Sequence, residues 1–302
     1  MSNFDKFLQT RILINTPKKE LLIKLQLEHE EFYGLDSTKL ANWAKGRSTP
    51  TLYKQLLIAQ TCQSLPAYLD NFQKVKVSSS DERTFMKYIK RIDSPYHQIL
   101  ASDNETYLFH QKGKYNELYP YIKPFSDKIV NLKEIAERIR YRNINAELLA
   151  IGTKDNNRCE SFIWMQHGFD AYLDCMALPG DKNEYSSQNC LAVTLAYYRS
   201  SEDFYLLCGI FANLVLERYS YKKKLVISFR GLEGLMLSEK LGGQLIKSIP
   251  DSKYGNWYIH EFDLIRLFSN PLLLNITKDY CDIYHNNFNR LISFPIKTSD
   301  LL

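Results

Sequence analysis

LDSTKLANWAKGRSTPTLYKQL, from Leu35 to Leu56, reads as two short helices joined by Gly46, Arg47, Ser48, Thr49 and Pro50. Asp36 precedes a helical pattern, where its carboxylate can accept from the free amides of a first turn. Leu40, Trp43 and Ala44 follow at three- and four-residue spacing on one face, while Thr38, Asn42 and Lys45 fall on the other and Lys39 flanks that polar stripe. Gly46 supplies the left-handed position that ends a helix. Thr49 and Pro50 are expected to restart one as cap and first residue. A stripe of this composition suits the DNA major groove: Asn pairs with adenine through two hydrogen bonds, Lys reaches guanine, and the Thr methyl touches thymine. The loop offers Arg47, Ser48 and Thr49 to phosphate. The expected DNA contacts are therefore Ser37, Thr38, Lys39, Asn42, Lys45, Arg47, Ser48 and Thr49.

Upstream, Thr16 and Pro17 open a helix over KKELLIKLQLEHE whose Leu21, Leu22, Ile23 and Leu25 pack beneath this pair. FDKFLQTRILI sets Phe4, Phe7, Leu8 and Ile12 at helical spacing. The pattern LxxWxxGRSTPxLxxxLxxA resembles the recognition-helix half of the helix-turn-helix domain in lambda-repressor, Cro and Xre-like transcriptional regulators. The resemblance covers roughly residues 4–75, with most of it between Leu40 and Ile58. It implies double-stranded DNA as partner and a homodimer, because one helix reads only a few base pairs and pairing lengthens the site. The segment LQLEHEEFYG between Lys24 and Leu35 departs from that family, as a longer second helix or an inserted turn.

Charge agrees with a polyanionic partner. The 302 residues carry a net charge of +5, and the first 76 hold eleven Lys or Arg against seven Asp or Glu. The acidic run Glu28, Glu30, Glu31 reads as a solvated face or a protein contact. MSNFDKFLQTR lacks the apolar core of a secretion signal, so a cytoplasmic location is expected. The longest apolar run, Tyr205 to Leu216, is too short to span a bilayer and reads as a buried helix; no membrane partner is expected. Six cysteines stand singly, as reduced structural thiols. Cys281 and His285 are four apart with only Asp279 or Asp282 to complete a set, so neither a metal nor another cofactor is expected.

LPAYLDNFQKV closes the first domain, residues 1–76, and the serines of KVSSSDERT mark a linker over 77–84. Residues 85–302 form the second domain. Helices are expected over DERTFMKYIKRI and SDKIVNLKEIAERIRYR, the latter with Ile129, Leu132, Ala136 and Ile139 along one side. ELLAIGT, ESFIWMQ, DAYLDCMAL and CLAVTLAYY read as strands, EDFYLLCGIFANLVLERY as a helix, KKLVISF as a strand, GLEGLMLSEKLGGQLIKSI as a helix and NWYIHEFDL as a strand. The fold class is α+β multidomain: an all-α helix-turn-helix domain, then an α/β sensor-like or oligomerisation domain with a central mixed sheet. The order of the second part is similar in pattern to the GNAT acyltransferase fold. Activity in that fold implies a glycine-rich basic turn holding a coenzyme A diphosphate at a helix start. RSSEDF stands there instead, with Glu202 and Asp203 opposing an anion.

No nucleotide loop, nucleophile elbow or zinc-protease motif occurs. His29, His97, His110, His167, His260 and His285 are scattered; His260 alone lies near carboxylates on an expected strand, and alternation sends Glu261 to the opposite face. The expectation is a regulator without enzymatic activity whose aromatic second half builds a core or an apolar effector pocket. An acyltransferase with a helical appendage and a protein-interaction module are the alternatives.

Overall fold

Apolar residues at helical spacing dominate the first 76 residues, and helices form there. The computed structural model describes residues 3–94, 105–127, 130–139, 142–154, 159–178, 180–250 and 255–301. Helix α1 (Phe4–Phe7) continues into a π-helical turn over Leu8–Ile12, followed by α2 (Lys18–Glu28), a 3-10 turn (Glu30–Phe32), α3 (Ser37–Ala44), α4 (Leu52–Thr61) and α5 (Leu65–Asn71). The departure at LQLEHEEFYG is thus an inserted turn, anchored by the fully buried Phe32. On α2 the buried residues are Leu21 and Leu25; Leu22 is half-buried and Ile23 is 47% exposed, so only part of the expected apolar row packs beneath. Phe7 meets Tyr68 edge-on at 5.4 Å. The Tyr68 hydroxyl donates to Gln55 Oε1 at 3.0 Å, and Gln55 Nε2 donates to the Pro50 carbonyl at 2.8 Å, which satisfies a fully buried amide.

The serines read as a linker are instead a helix start. Ser78 Oγ accepts from the Asp81 amide at 3.1 Å and opens α6 (Ser79–Ile92), so residues 79–84 are helical. Asp81 and Glu82 complement the first turn, and Thr84, Phe85, Ile89 and Ile92 form its buried stripe.

The remaining elements are β1 (Tyr107–Lys114), α7 (Tyr115–Ser126), α8 (Val130–Ile139), β2 (Asn145–Gly152), β3 (Cys159–His167), α9 (Asp170–Met176), β4 (Cys190–Tyr197), α10 (Ser201–Arg218), β5 (Lys224–Arg230), α11 (Gly231–Lys240), β6 (Gln244–Ile249), β7 (Trp257–Asp263), α12 (Leu264–Phe268), α13 (Pro271–Asp279), α14 (Cys281–Leu291) and β8 (Ile296–Lys297). The strands form one eight-stranded mixed sheet in the order β6-β7-β5-β4-β3-β2-β1-β8. Neighbours run antiparallel except β4 and β5, which α10 joins as a parallel crossover. The fold is mixed α and β with a central mixed sheet.

Three local readings are corrected. DAYLDCMAL is helix α9, not a strand: Phe169 and Tyr172 stack at 5.1 Å across one helical turn, and Ala177 ends it at φ +50°. GLEGLMLSEKLGGQLIKSI is helical only to Lys240; Gly242, at φ +85°, breaks it and Gln244–Ile249 becomes edge strand β6. The strand β1 and the helix α7 were not expected at all. Ala136 and Ile139 of α8 are buried as expected, whereas Ile129 and the side chain of Leu132 lie outside the described residues.

One apolar cluster runs continuously from Phe4 to Leu301 and joins the first helices to the layer on the sheet. Here α4 packs on α12, and α5 on α10 and α13. Asn275 of α13 bonds both the amide and the carbonyl of Val75, at 3.0 and 2.8 Å. Glu31, from the acidic run, pairs with Arg266 of α12 at 2.8 Å. No helix among the described residues is long and apolar enough to cross a membrane.

Candidate functional site

Helix α3 presents the expected stripe. Asp36 Oδ1 accepts from the Lys39 amide at 2.6 Å, and Leu40, Trp43 and Ala44 are buried against α1, the π-helical turn and α2. Ser37, Thr38, Lys39, Lys45, Arg47, Ser48 and Thr49 are exposed and Asn42 is half-buried. Their side chains make no hydrogen bond or ion pair among the described residues, so the donors and cations are free for an external partner. Gly46 takes φ +68°, and the Arg47 amide returns to the Asn42 carbonyl at 2.9 Å. Gln9 donates its side-chain amide to the Ala44 carbonyl, which satisfies part of the helix's C-terminal end.

The restart differs from the expectation. Pro50 is buried outside the helix, its carbonyl held by Gln55, and Thr51 is the cap of α4, accepting from the Lys54 amide at 3.4 Å. Thr49 is therefore released from capping and remains an exposed loop residue.

A second polar centre lies beneath α10 and was missed. Glu147 on β2 is 3% exposed; its Oε2 meets His110 Nε2 at 2.8 Å, and its Oε1 meets His167 Nε2 at 3.0 Å and Lys112 Nζ at 2.9 Å. Tyr219, past the end of α10, donates its hydroxyl to the same carboxylate and accepts from Lys112 Nζ at 2.7 Å. Burial pushes the Glu147 carboxyl up, but hydrogen bonds from His110, His167 and Tyr219 outweigh it and hold the group well below the usual range. The strand register sets Lys112 directly opposite Glu147, which a chain with β1 unread cannot disclose. His260, in contrast, is a buried histidine bonded to Ser238 Oγ at 3.1 Å, while Glu261 faces Tyr185 and Lys224. His97 lies outside the described residues.

Between the sheet, α6, α10 and α11 is a cavity of about 200 Å³. On its sheet side β4 and β5 pair over Cys190–Val193 and Lys224–Ile227, short of the C-terminal ends of both strands. Phe85, Tyr88, Tyr198, Phe204, Phe211 and Trp257 line it. Beside it, the start of α10 is occupied by the chain's own acids. Asp93 Oδ1 accepts from the Ser201 amide at 2.7 Å, Ser200 Oγ from the Asp203 amide at 3.2 Å, and Arg199 is paired with Glu160 at 2.5 Å and with Asp203 at 3.4 Å.

Comparison with family models, curated proteins and solved structures finds no match for this chain.

Proposed function

We propose that the protein is a sequence-specific, double-stranded-DNA-binding transcriptional regulator of the helix-turn-helix kind, working in the cytoplasm without catalysis. The observation that carries this reading is the α3 stripe: Lys39, Asn42, Lys45 and Arg47 are unengaged on the side of a helix whose other side is fastened by Trp43. Lys39 and Asn42 meet base edges, and Arg47 with Ser48 and Thr49 meets phosphate. Two copies bind as a homodimer with half-sites about 34 Å apart. Ile23 and Leu27, four residues apart on α2 and 47% and 80% exposed, offer the apolar contact between them. The sheet-bearing part senses a small apolar effector in the cavity, which exceeds the roughly 150 Å³ that accommodates a benzene.

Asn42→Ala is expected to cost about 1 to 3 kcal/mol at the operator and little on random DNA, whereas Arg47→Ala weakens both alike and lowers the salt slope by about one. Competition binding at several salt concentrations separates them. Equal loss on both DNAs with Asn42→Ala means that this helix does not read sequence.

A second reading, an acyltransferase, draws support from the order of elements, in which antiparallel β1 to β4 are followed by α10, the parallel β5, α11 and β6, as in the GNAT-like pattern of the sequence. The filled start of α10 opposes it, because a diphosphate there meets Asp93, Glu202 and Asp203. No heat of coenzyme A binding is expected by calorimetry; tight binding promotes this second reading over the first.

A further inference from the structure

Cys281 opens α14, and His285 follows one turn later on the same side of the helix. Neither Asp279 nor Asp282 completes the set; Asp279 is paired with Lys74. The third group comes from 211 residues away, where Asp70 of α5 accepts from the Cys281 thiol at 3.7 Å. One ligand atom each from Asp70, Cys281 and His285 lies within 4.8 Å of the other two.

We propose that these three side chains form a binding site for a divalent cation of the zinc class, which clamps α5 to α14. A thiolate, an imidazole and a carboxylate are the donors that zinc accepts, whereas calcium and magnesium require oxygen throughout. Around a tetrahedral zinc with bonds of about 2.0 to 2.3 Å, neighbouring ligand atoms stand roughly 3.5 Å apart. Closing from 4.8 Å is a matter of side-chain rotation, since Asp70 and His285 are exposed and Cys281 supplies the buried, fixed corner. The fourth position faces solvent and takes water.

The surrounding charges are mixed. Burial pushes the Cys281 thiol up to about 12, and the negative charges of Asp70 and Asp282 act in the same sense while Lys278 opposes them. Lys278 itself is bonded to the Asp70 main-chain carbonyl at 3.0 Å, not to its carboxylate. Metal binding replaces the S–H bond with an S–metal bond and releases that proton to solvent. The clamp would connect the last of the N-terminal helices to the helix whose Phe288 lies 5.1 Å from His110 of the Glu147 centre. It rests on donor geometry alone and stands or falls apart from the DNA reading.

The test uses the full chain, stripped with chelator, and cobalt(II) as the spectroscopic probe. One cobalt per chain is expected, with a thiolate-to-metal charge-transfer band that Cys281→Ser abolishes and Cys62→Ser leaves unchanged. His285→Gln, an exposed change that leaves the core untouched, should weaken cobalt at least tenfold and cancel the rise in Tm that zinc produces in the parent chain. Absence of the charge-transfer band, its survival in Cys281→Ser, or unaltered affinity in His285→Gln overturns the proposal.

Discussion

Glu147→Leu is expected to lower stability by about 3 to 5 kcal/mol, the range for removing one partner from a buried charged cluster. The leucine fills much of the space but leaves His110 stranded: that ring is fully buried, and its Nδ1 already has no partner among the described residues. The Tyr219 hydroxyl and Lys112 lose the same acceptor. Urea unfolding with an unchanged m-value measures the loss. A loss under 1 kcal/mol would mean that water replaces the carboxylate easily and that the cluster is not a dry centre. The parent chain should show the same dependence through pH. Glu147 is held below its ordinary 4.5, so its contribution is complete above that value and disappears as pH falls through the folded-state value. His29 and His260 act earlier: burial holds both below 6.5, so each favours the folded state above that pH and loses this contribution on acidification below it. Midpoints of unfolding should therefore fall in two stages, the histidine stage below pH 6.5 and the Glu147 stage only below pH 4.5, so the series has to be carried well below pH 4 to record the second.

Trp43→Ala should cost about 3 to 5 kcal/mol, because an indole 3% exposed is removed from between α1, α2 and α3 and the backbone around it closes only partly. Its signature differs from that of Asn42→Ala: a thermal melt shifts sharply, and any DNA affinity is lost together with folding instead of being retuned. A variant that melts like the parent yet binds poorly would assign Trp43 to the interface and not to the core. Phe7 of α1 carries the disturbance further, because its ring meets Tyr68 of α5, which in turn bonds Gln55 of α4.

Sequence periodicity was enough to place α3, its Asp36 cap, its buried Leu40, Trp43 and Ala44 and the positive φ at Gly46, because each depends on neighbours within one or two turns. The buried α10 and most central strands were legible for the same reason. Local signals also misled. The serines before α6 have the composition of a linker and the chemistry of a cap, and only the buried stripe from Thr84 to Ile92 decides between them. Asp170 to Met176, a short and largely apolar stretch, reads as a strand between strands, yet it is helical and the Phe169 and Tyr172 rings stack across a turn. What no short window contains is long-range pairing. Glu147 meets His110, His167 and Tyr219 because antiparallel register and the end of α10 bring them together, and Asp70 reaches Cys281 because α5 packs into the layer over the sheet. Spacing along the chain sets which face a side chain occupies; the burial of distant faces against one another sets which side chains share a site.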